Sequence, residues 1–511
     1  MTKEIRLNAF DMNCVGHIQH GMWTHPRDHS TEYNTIEYWQ DLARLAERGK
    51  LDGIFLADIV GVYDVYRSGP APSIVDAVQI PVNDPMMVVP VMAAVTEHIG
   101  FGVTANLTYE PPYLFARRMS TLDHLTRGRV GWNIVTGYLD SAARGMGLAA
   151  QPDHDRRYDA ADEYMSVVYQ LWEASWEDGA VLRDKSNRIF ADPAKIHRVR
   201  HQGRHYQVDA VHLAEPSPQR TPVLYQAGSS TRGREFAATH AECVFVFGAD
   251  KRITREIVAD IRGRAAANGR DPRDILIFYN RAAVVGRTRR EAEEKYREYH
   301  KHASVEGALA HFSSSTGLDL SRYEQDEPIR YVKNDAINSA VETLTTMSAE
   351  PWTLRRIVGR MGLGSRNPAI VGSAEEVADD LIAWVEETDI DGFNLSRIVT
   401  PESLEDFVDL VVPILQERGA YKRDYLPGTL RREAVRPVAA AAIQPSSWRA
   451  PPARHLQQEI QLKFGEQRRD AGQRQLLRQP VLQGAEGALG AGDDPAPLAR
   501  QGVPQRRGSL G

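Results

Sequence analysis

The sequence is poor in the features that would place it in several large classes of protein. It holds only two cysteines, Cys14 and Cys243, among 511 residues. That excludes a disulfide framework and makes a reducing compartment the expectation. It has no run of about 18 apolar residues of the kind that crosses a membrane. Its opening stretch, MTKEIRLNAF, carries no long apolar core of the signal-peptide kind. A cytoplasmic location without membrane contact is therefore expected. Positive charge is not in excess: 62 Lys and Arg face 68 Asp and Glu, for a formal net charge of −6. A nucleic-acid partner would find no basic footprint. No G-x-G-x-x-G follows the first apolar run, which leads into DMNCVGH instead. Tight NAD binding is not expected, and any reducing power must come from elsewhere.

What is there is an ordinary globular composition, 42% hydrophobic and 25% charged. From Arg431 to Gly511 the chain turns rich in Ala, Gln, Arg, Pro and Gly with almost no aromatics. Such a segment buries too little apolar surface to offset its ordering entropy. Residues 1–430 read as the working domain and 431–511 as a disordered tail. Within the domain, short apolar runs alternate with longer helical patterns. Strands are predicted at 5–10, 52–58, 99–106, 129–135, 222–228, 243–247, 275–286 and 392–396. Helices are predicted at 34–48 (N-cap Asn34, stop Gly49), 85–97, 113–126, 158–172, 232–240, 253–268, 374–387 and 403–418. Insertions interrupt the rhythm before His212 and across Ser304–Ile370. Strand–helix alternation implies a parallel sheet, and about eight such units imply closure into a (β/α)8 barrel. A doubly wound open sheet is the alternative, and the missing glycine fingerprint argues against it.

In such a barrel the chemistry sits where strands end. Cys14 and His17 follow the first strand; Asp58, then Tyr63 and Gln79, follow the second. Thr104 and Asn106 follow the third, Asn133, Thr136 and Tyr138 the fourth, and AGSSTRGREFA the fifth. Ser229 and Ser230 there open a helix, whose free N–H groups suit a phosphate, with Arg232 and Arg234 adding charge. An ordinary serine-capped helix is the other reading. His154 and Tyr158 share one helix face and could reach the same phosphate, or simply pack. Asp58 could bind a ring N–H or anchor its loop. Thr104 could equally be a satisfied strand hydroxyl. Cys14, His17, His20, His25 and His29 suggest a metal, and a metal-dependent barrel hydrolase is the alternative of another class. The second cysteine pair of a structural zinc site is missing, as is a His-x-His at the first strand end, so no metal is expected. His311 lies in ALAHFSSSTG inside the second insertion, a flank suited to a lid.

Several stretches then match one family. NAFDMNCVGH, LADIVGVYDVYR, VNDPM, ARRMSTLDHLTRGRVGWNIVT, HDRRYDAADEY, EPSPQRTPVLYQAG and DGFNLS resemble the nitrilotriacetate monooxygenase group of luciferase-like, two-component flavin monooxygenases. The likeness runs through residues 1–430 and is nearest to the dimethylsulfide and long-chain alkane branch. It implies a bacterial-luciferase type of barrel with insertions, reduced FMN delivered by a separate NAD(P)H:FMN oxidoreductase, and O2 as cosubstrate. It also implies a homodimer or homotetramer. FMN contacts are implied at Asp58, Thr104, Asn133, Gly137, His154, Tyr158, Ser229 and Ser230. A pocket of Cys14, His17, Tyr63, Gln79 and His311 is implied for a small organic substrate, organosulfur or alkane-like. His17 or His311 would then move protons near neutral pH. Position 137 is often Ser in the family, and Gly137 offers only its backbone N–H. Flavin-degrading lyases and aryl-sulfone or aminopolycarboxylate monooxygenases resemble the same sequence. Beyond Arg431 the family pattern stops, as a frameshift would produce.

Overall fold

Eight short buried runs pair in parallel and close on themselves in a computed structural model that describes residues 3–228, 230–329, 352–360, 363 and 368–434. The strands are β1 (Arg6–Met12), β2 (Gly53–Ala57), β3 (Gly100–Asn106), β4 (Val130–Val135), β5 (Val223–Gln226), β6 (Cys243–Val246), β7 (Leu276–Arg281) and β8 (Gly392–Ser396). β1 pairs with both β2 and β8, which completes the ring. Side chains along each strand are buried on both faces, as expected of a parallel sheet sheathed by helices. Inside the ring, Phe10, Phe55, Tyr225 and Phe245 meet at tilted or edge-to-face angles and with Phe278 fill the bore. The barrel expected from the alternation is the one observed.

The helices follow their sequence signals with local corrections. Helix α1 (Ile36–Arg48) is capped by Thr35, whose hydroxyl accepts from Tyr38 N, and not by Asn34. It stops at Gly49, but the left-handed residue is Lys50, at φ 57°. The helix expected over 85–97 is a tight turn, Pro85–Met87, followed by a short helix, Val89–Ala93. Helix α2 (Pro112–Leu125) carries ARRMSTLDHL, and α3 (His154–Tyr169) starts at His154, capped by Asp153. Helix α4 (Thr231–His240) follows β5, and α5 (Lys251–Ala267) follows β6. The single strand expected over 275–286 is two. β7 ends at Arg281, and Ala283–Gly286 leaves the barrel to pair with Ile370–Ser373. Asn280 and Arg281 stand at that break, but a buried strand can hold polar residues and the pieces on either side are both largely buried, so the run reads as one strand. The first insertion holds two antiparallel hairpins, Val181–Asp184 with Ile189–Ala191 and Val199–Gln202 with Gln207–Ala210. The second supplies α6 (Val305–Thr316), capped by Ser304 and ended by Gly317 at φ 69°.

The folded chain runs past the boundary expected at residue 430. Leu430 packs into the N-terminal end of the barrel beside Gly100, where any Cβ would lie 2.3 Å from a Leu430 methyl. Arg431 Nε donates to the buried carboxylate of Glu242 at 2.7 Å. A short helix, Leu430–Ala434, completes this floor. The rest of the segment expected to be a tail, from residue 435, lies outside the described residues. No helix among the described residues is long and apolar enough to cross a membrane.

Candidate active site

The C-terminal ends of β1 to β5 supply most of the singled-out side chains to one rim. Two clusters form there, one suited to a flavin and one to a small substrate.

The first cluster centres on the turn after β5. Ser230 caps α4, its Oγ accepting from Gly233 N at 3.0 Å, with His154 Nε2 lying 3.4 Å from the same oxygen. The Tyr158 hydroxyl lies beneath this turn and hydrogen-bonds to Ser230 and Gln226. Gly228 and Gly233 allow the approach, because a Cβ at either would sit 2.9 Å from the Tyr158 oxygen. Ser229 lies outside the described residues. The charge expected from Arg232 and Arg234 is already engaged. Arg232 pairs with Asp162 and Asp159, and Arg234 pairs with Asp260. Both acids of the Arg232 pair come from α3 and Asp260 from α5, so the local sequence gave no sign of them. An anion here would rest on the helix start, Ser230, His154 and Tyr158 instead.

Beside this turn, β3 and β4 present Thr104 and Asn133. Asn133 Nδ2 donates to Thr104 Oγ1 at 2.8 Å, while Asn133 Oδ1 is buried with no partner. Gln226 Oε1, Gln151 Nε2 and His17 Nδ1 are likewise buried and unpartnered. Buried polar atoms normally have partners, so a group of them along one rim fits a polar planar ligand such as a flavin ring. Gly137 stands at φ 72°, and a Cβ there would lie 2.5 Å from Asn106 Nδ2. A side chain at 137 would therefore be strained and would displace Asn106. Asp58 ends β2. Burial first, and the nearby Asp84 carboxylate second, push its carboxyl up to about 8. Near neutral pH it is largely protonated and can donate as well as accept.

The second cluster joins the loops after β1 and β2 to α6. The Tyr63 hydroxyl donates to Gln79 Oε1 at 2.8 Å and lies 2.8 Å from the Tyr138 hydroxyl. Gln79 Nε2 donates to the carbonyl of His17 at 2.8 Å. His311 stacks on Tyr63, ring centroids 5.0 Å apart. His17 sets its ring edge on Phe10 at 4.6 Å. Cys14 is buried in the same loop, its thiol turned to the Gly16 carbonyl at 3.5 Å, and burial pushes that thiol up to about 12. Burial also holds the His17 imidazole well below its usual range, with Arg397 and His20 adding to the effect. The charged form of His17 is therefore disfavoured in this loop.

One residue, Arg397, escaped the sequence reading, and another, His20, was weighed there only as a metal ligand. Arg397 follows β8 and ties down the β1 loop. Its Nε pairs with Asp11 at 2.9 Å, and its Nη2 donates to the carbonyls of Cys14 and Val15 at 2.8 and 2.9 Å. An arginine directly after GFNLS was the available signal. His20 sits 2.9 Å from His311 through Nε2 and Nδ1, a pairing invisible at a sequence separation of 291. Among the described residues, no group of three or more His, Cys, Asp or Glu is placed to hold a metal ion. His25 packs on Tyr299 and His302, and His29 faces Glu32.

The whole arrangement has close counterparts. Residues 18–392 match the luciferase-like monooxygenase family. Dimethyl-sulfide monooxygenase of Hyphomicrobium sulfonivorans is 49% identical over 85% of this chain and 91% of its own length. Long-chain alkane monooxygenase of Geobacillus thermodenitrificans is 49% identical over 85% of this chain and 94% of its own length. The crystal structure of a long-chain alkane monooxygenase superposes with a TM-score of 0.79 at 49% identity, covering 85% of this chain and 96% of that one. A riboflavin lyase crystallised with modified FMN and riboflavin gives 0.80 at 36% identity, with the same coverage of each chain. On its barrel, its rim and these relatives, the chain belongs to the luciferase-like monooxygenase family, whose members use reduced flavin and O2.

Proposed function

We propose that the chain is the oxygenase half of a two-component system. It takes reduced FMN from a separate NAD(P)H:FMN oxidoreductase and inserts one atom of O2 into a small uncharged substrate, a thioether or alkane-like molecule. The observation that carries the substrate class is the electrical neutrality of the second cluster. Burial disfavours charge on Cys14 and on His17, and the Tyr63 hydroxyl hydrogen-bonds with Gln79 and with Tyr138, neither of them a charged partner. An anionic substrate would be desolvated there without a counter-charge, which costs several kcal/mol. The aminopolycarboxylates of the nitrilotriacetate relative, 34% identical, fit this wall poorly. The 49% identity to the dimethyl-sulfide and alkane enzymes agrees with an uncharged substrate.

FMN fits the first cluster. Ser230, His154 and Tyr158 would hold its phosphate, while Asn133, Thr104, Gln226 and Asp58 would face the ring system and its side chain. When bound, the reduced flavin supplies the electrons and the O2 chemistry, one oxygen atom going to substrate and the other to water. The protein's part is to orient and to keep water out. The aromatic bore of Phe10, Phe55 and Phe245 closes the pocket from below. The Tyr63–Gln79–Tyr138 network offers fixed donors that need not reorganise. Anaerobic titration with reduced FMN, followed by isotopically labelled O2 with dimethyl sulfide, a medium-chain alkane or riboflavin, tests the reading. Label in a sulfoxide, aldehyde or alcohol product supports it. Label only with riboflavin would assign a flavin lyase, and absence of flavin binding would overturn both.

A further inference from the structure

A cavity of about 370 Å3 lies between the ends of β1 and β8 and two helices, α1 and the short Glu402–Asp406. Its size falls within the about 300–1,000 Å3 of small-molecule sites. Leu42, Leu45, Leu395, Leu404 and Phe407 give it an apolar wall. The inner end is polar. Asp11 is 2% exposed there. Its Oδ1 accepts from Met12 N at 2.7 Å and pairs with Arg397 Nε at 2.9 Å. Its Oδ2 accepts only from the Tyr38 hydroxyl, at a long 3.4 Å. Thr400, 6% exposed, faces the same hydroxyl, and its buried Oγ1 makes no hydrogen bond of good geometry. The outer end is acidic. Glu32, Glu37, Asp41 and Glu405 are exposed around the mouth. Asp41 pairs with Arg44, and Glu32 faces His29. Glu37 and Glu405, one from each helix, have no ion-pair partner among the described residues.

We infer that this cavity binds a small organic cation, with an ammonium head between Glu37 and Glu405, a short alkyl body along the leucine wall, and a hydrogen-bond donor at the far end toward Asp11 and Thr400. Three features select that class. An anion finds no free cation, because Arg397, the sole Lys or Arg of the wall, is already engaged by Asp11, the Tyr38 hydroxyl and the Cys14 and Val15 carbonyls. A metal ion needs converging ligands, and no group of three or more His, Cys, Asp or Glu among the described residues is placed to hold one. A purely apolar guest would cover the spare acceptors of the inner end without supplying a donor, which leaves them desolvated and unsatisfied. An amphiphilic amine meets all three conditions. Its charge stays at the half-open mouth, where carboxylates of one sign draw it in. Its stem lies on apolar surface, as the stem of a lysine does. Its far donor satisfies Asp11 Oδ2 or Thr400 Oγ1. The inner wall is the Asp11–Arg397 pair that also ties down the loop of Cys14 and His17, so the site backs onto the second cluster. The inference does not depend on the reaction at the rim.

The test is calorimetric titration of the full chain, without flavin, with 6-aminohexan-1-ol and with hexane-1,6-diol, its uncharged counterpart. The amine is expected to bind at one site per chain, about tenfold more tightly than the diol, and more weakly as salt is raised. Glu37→Gln combined with Glu405→Gln keeps the shape of the mouth and removes both charges. Both positions are exposed, so the variant should melt with the wild type. It should bind the amine about tenfold more weakly, as expected for two lost ion pairs that are open to solvent, and the diol as before. Amine binding that is unchanged in the double variant would lie elsewhere on the protein and overturn the inference. So would equal binding of amine and diol by the wild type, or no saturable binding of the amine, and neither of these two outcomes depends on a variant.

Discussion

At the scale of single residues, Asp58 makes the sharpest case. Its carboxyl is held up to about 8 by burial and then by Asp84. An unfolded chain releases the same proton near about pH 3.9. Between roughly pH 4 and pH 8 the folded state thus binds more protons than the unfolded one, and this group makes stability fall as pH rises. Asp58→Asn cannot ionise. Without flavin it should match wild type near pH 4 and exceed it by at least about 2 kcal/mol at pH 9, read from urea unfolding. A stability gap that does not change with pH would refute the raised carboxyl. The position of Asp58 was legible, because a carboxylate at the end of an apolar run is conspicuous. Its protonation was not, because burial and Asp84 belong to the folded rim. Arg397 and His20 show the same limit. Their partners, Asp11 with the Cys14 and Val15 carbonyls in one case and His311 in the other, are contributed by elements hundreds of residues away.

At the scale of elements, the turn from β5 into α4 was read correctly as a serine-capped helix start and wrongly as a cationic one. The cap is local: Ser230 and Gly233 are three residues apart, and the hydroxyl reaches the third N–H of the helix. The cations are not local, because Arg232 and Arg234 cross to α3 and α5. Ser230→Ala has two separable consequences. Loss of the cap should cost about 1 kcal/mol of stability. Loss of one phosphate donor should weaken reduced FMN by about tenfold, since a hydrogen bond to a charged group contributes roughly 1.5–3 kcal/mol. Riboflavin, which lacks the phosphate, should bind wild type and variant alike. Calorimetric titration with both ligands checks this, and equal weakening of the two would move the phosphate elsewhere. Strand β7 teaches the complementary point about elements. Its run to Gly286 is interrupted only by Asn280, itself buried, and Arg281, and a strand can carry such residues, so periodicity did not show that Ala283–Gly286 turns out of the barrel to meet Ile370–Ser373.

At the scale of the whole molecule, the eight-fold alternation was legible because each β–α unit announces itself locally. The floor of the barrel was not, because it is made from the far end of the domain. Lys422 Nζ lies 2.8 Å from Asp52 and 2.8 Å from Glu433, and Arg6 adds a second cation 3.3 Å from Asp52. Lys422, Asp52 and Glu433 have side chains no more than 5% exposed. Breaking one member of such a buried set leaves an unpaired charge, at a cost of about 3–5 kcal/mol. Leu430 seals the bore beside Gly100, and its loss adds about 2–5 kcal/mol. Composition placed the end of the domain at residue 430, which leaves Arg431 and Glu433 outside it, whereas the described fold runs on through the helix Leu430–Ala434. Two truncations separate these boundaries. A chain ended after Ala440 keeps Leu430, Arg431 and Glu433 and should melt with the full-length protein and bind reduced FMN equally well. A chain ended after Gly428 strands Lys422 and Glu242 and opens the bore. Since the summed cost rivals the about 5–15 kcal/mol that holds a typical domain folded, that chain should be insoluble or melt at least about 10 °C lower. Co-melting of the shorter chain with the longer would show that the last turn merely rests on the barrel, and the floor would then have to be assigned to Lys422, Asp52 and Arg6 alone.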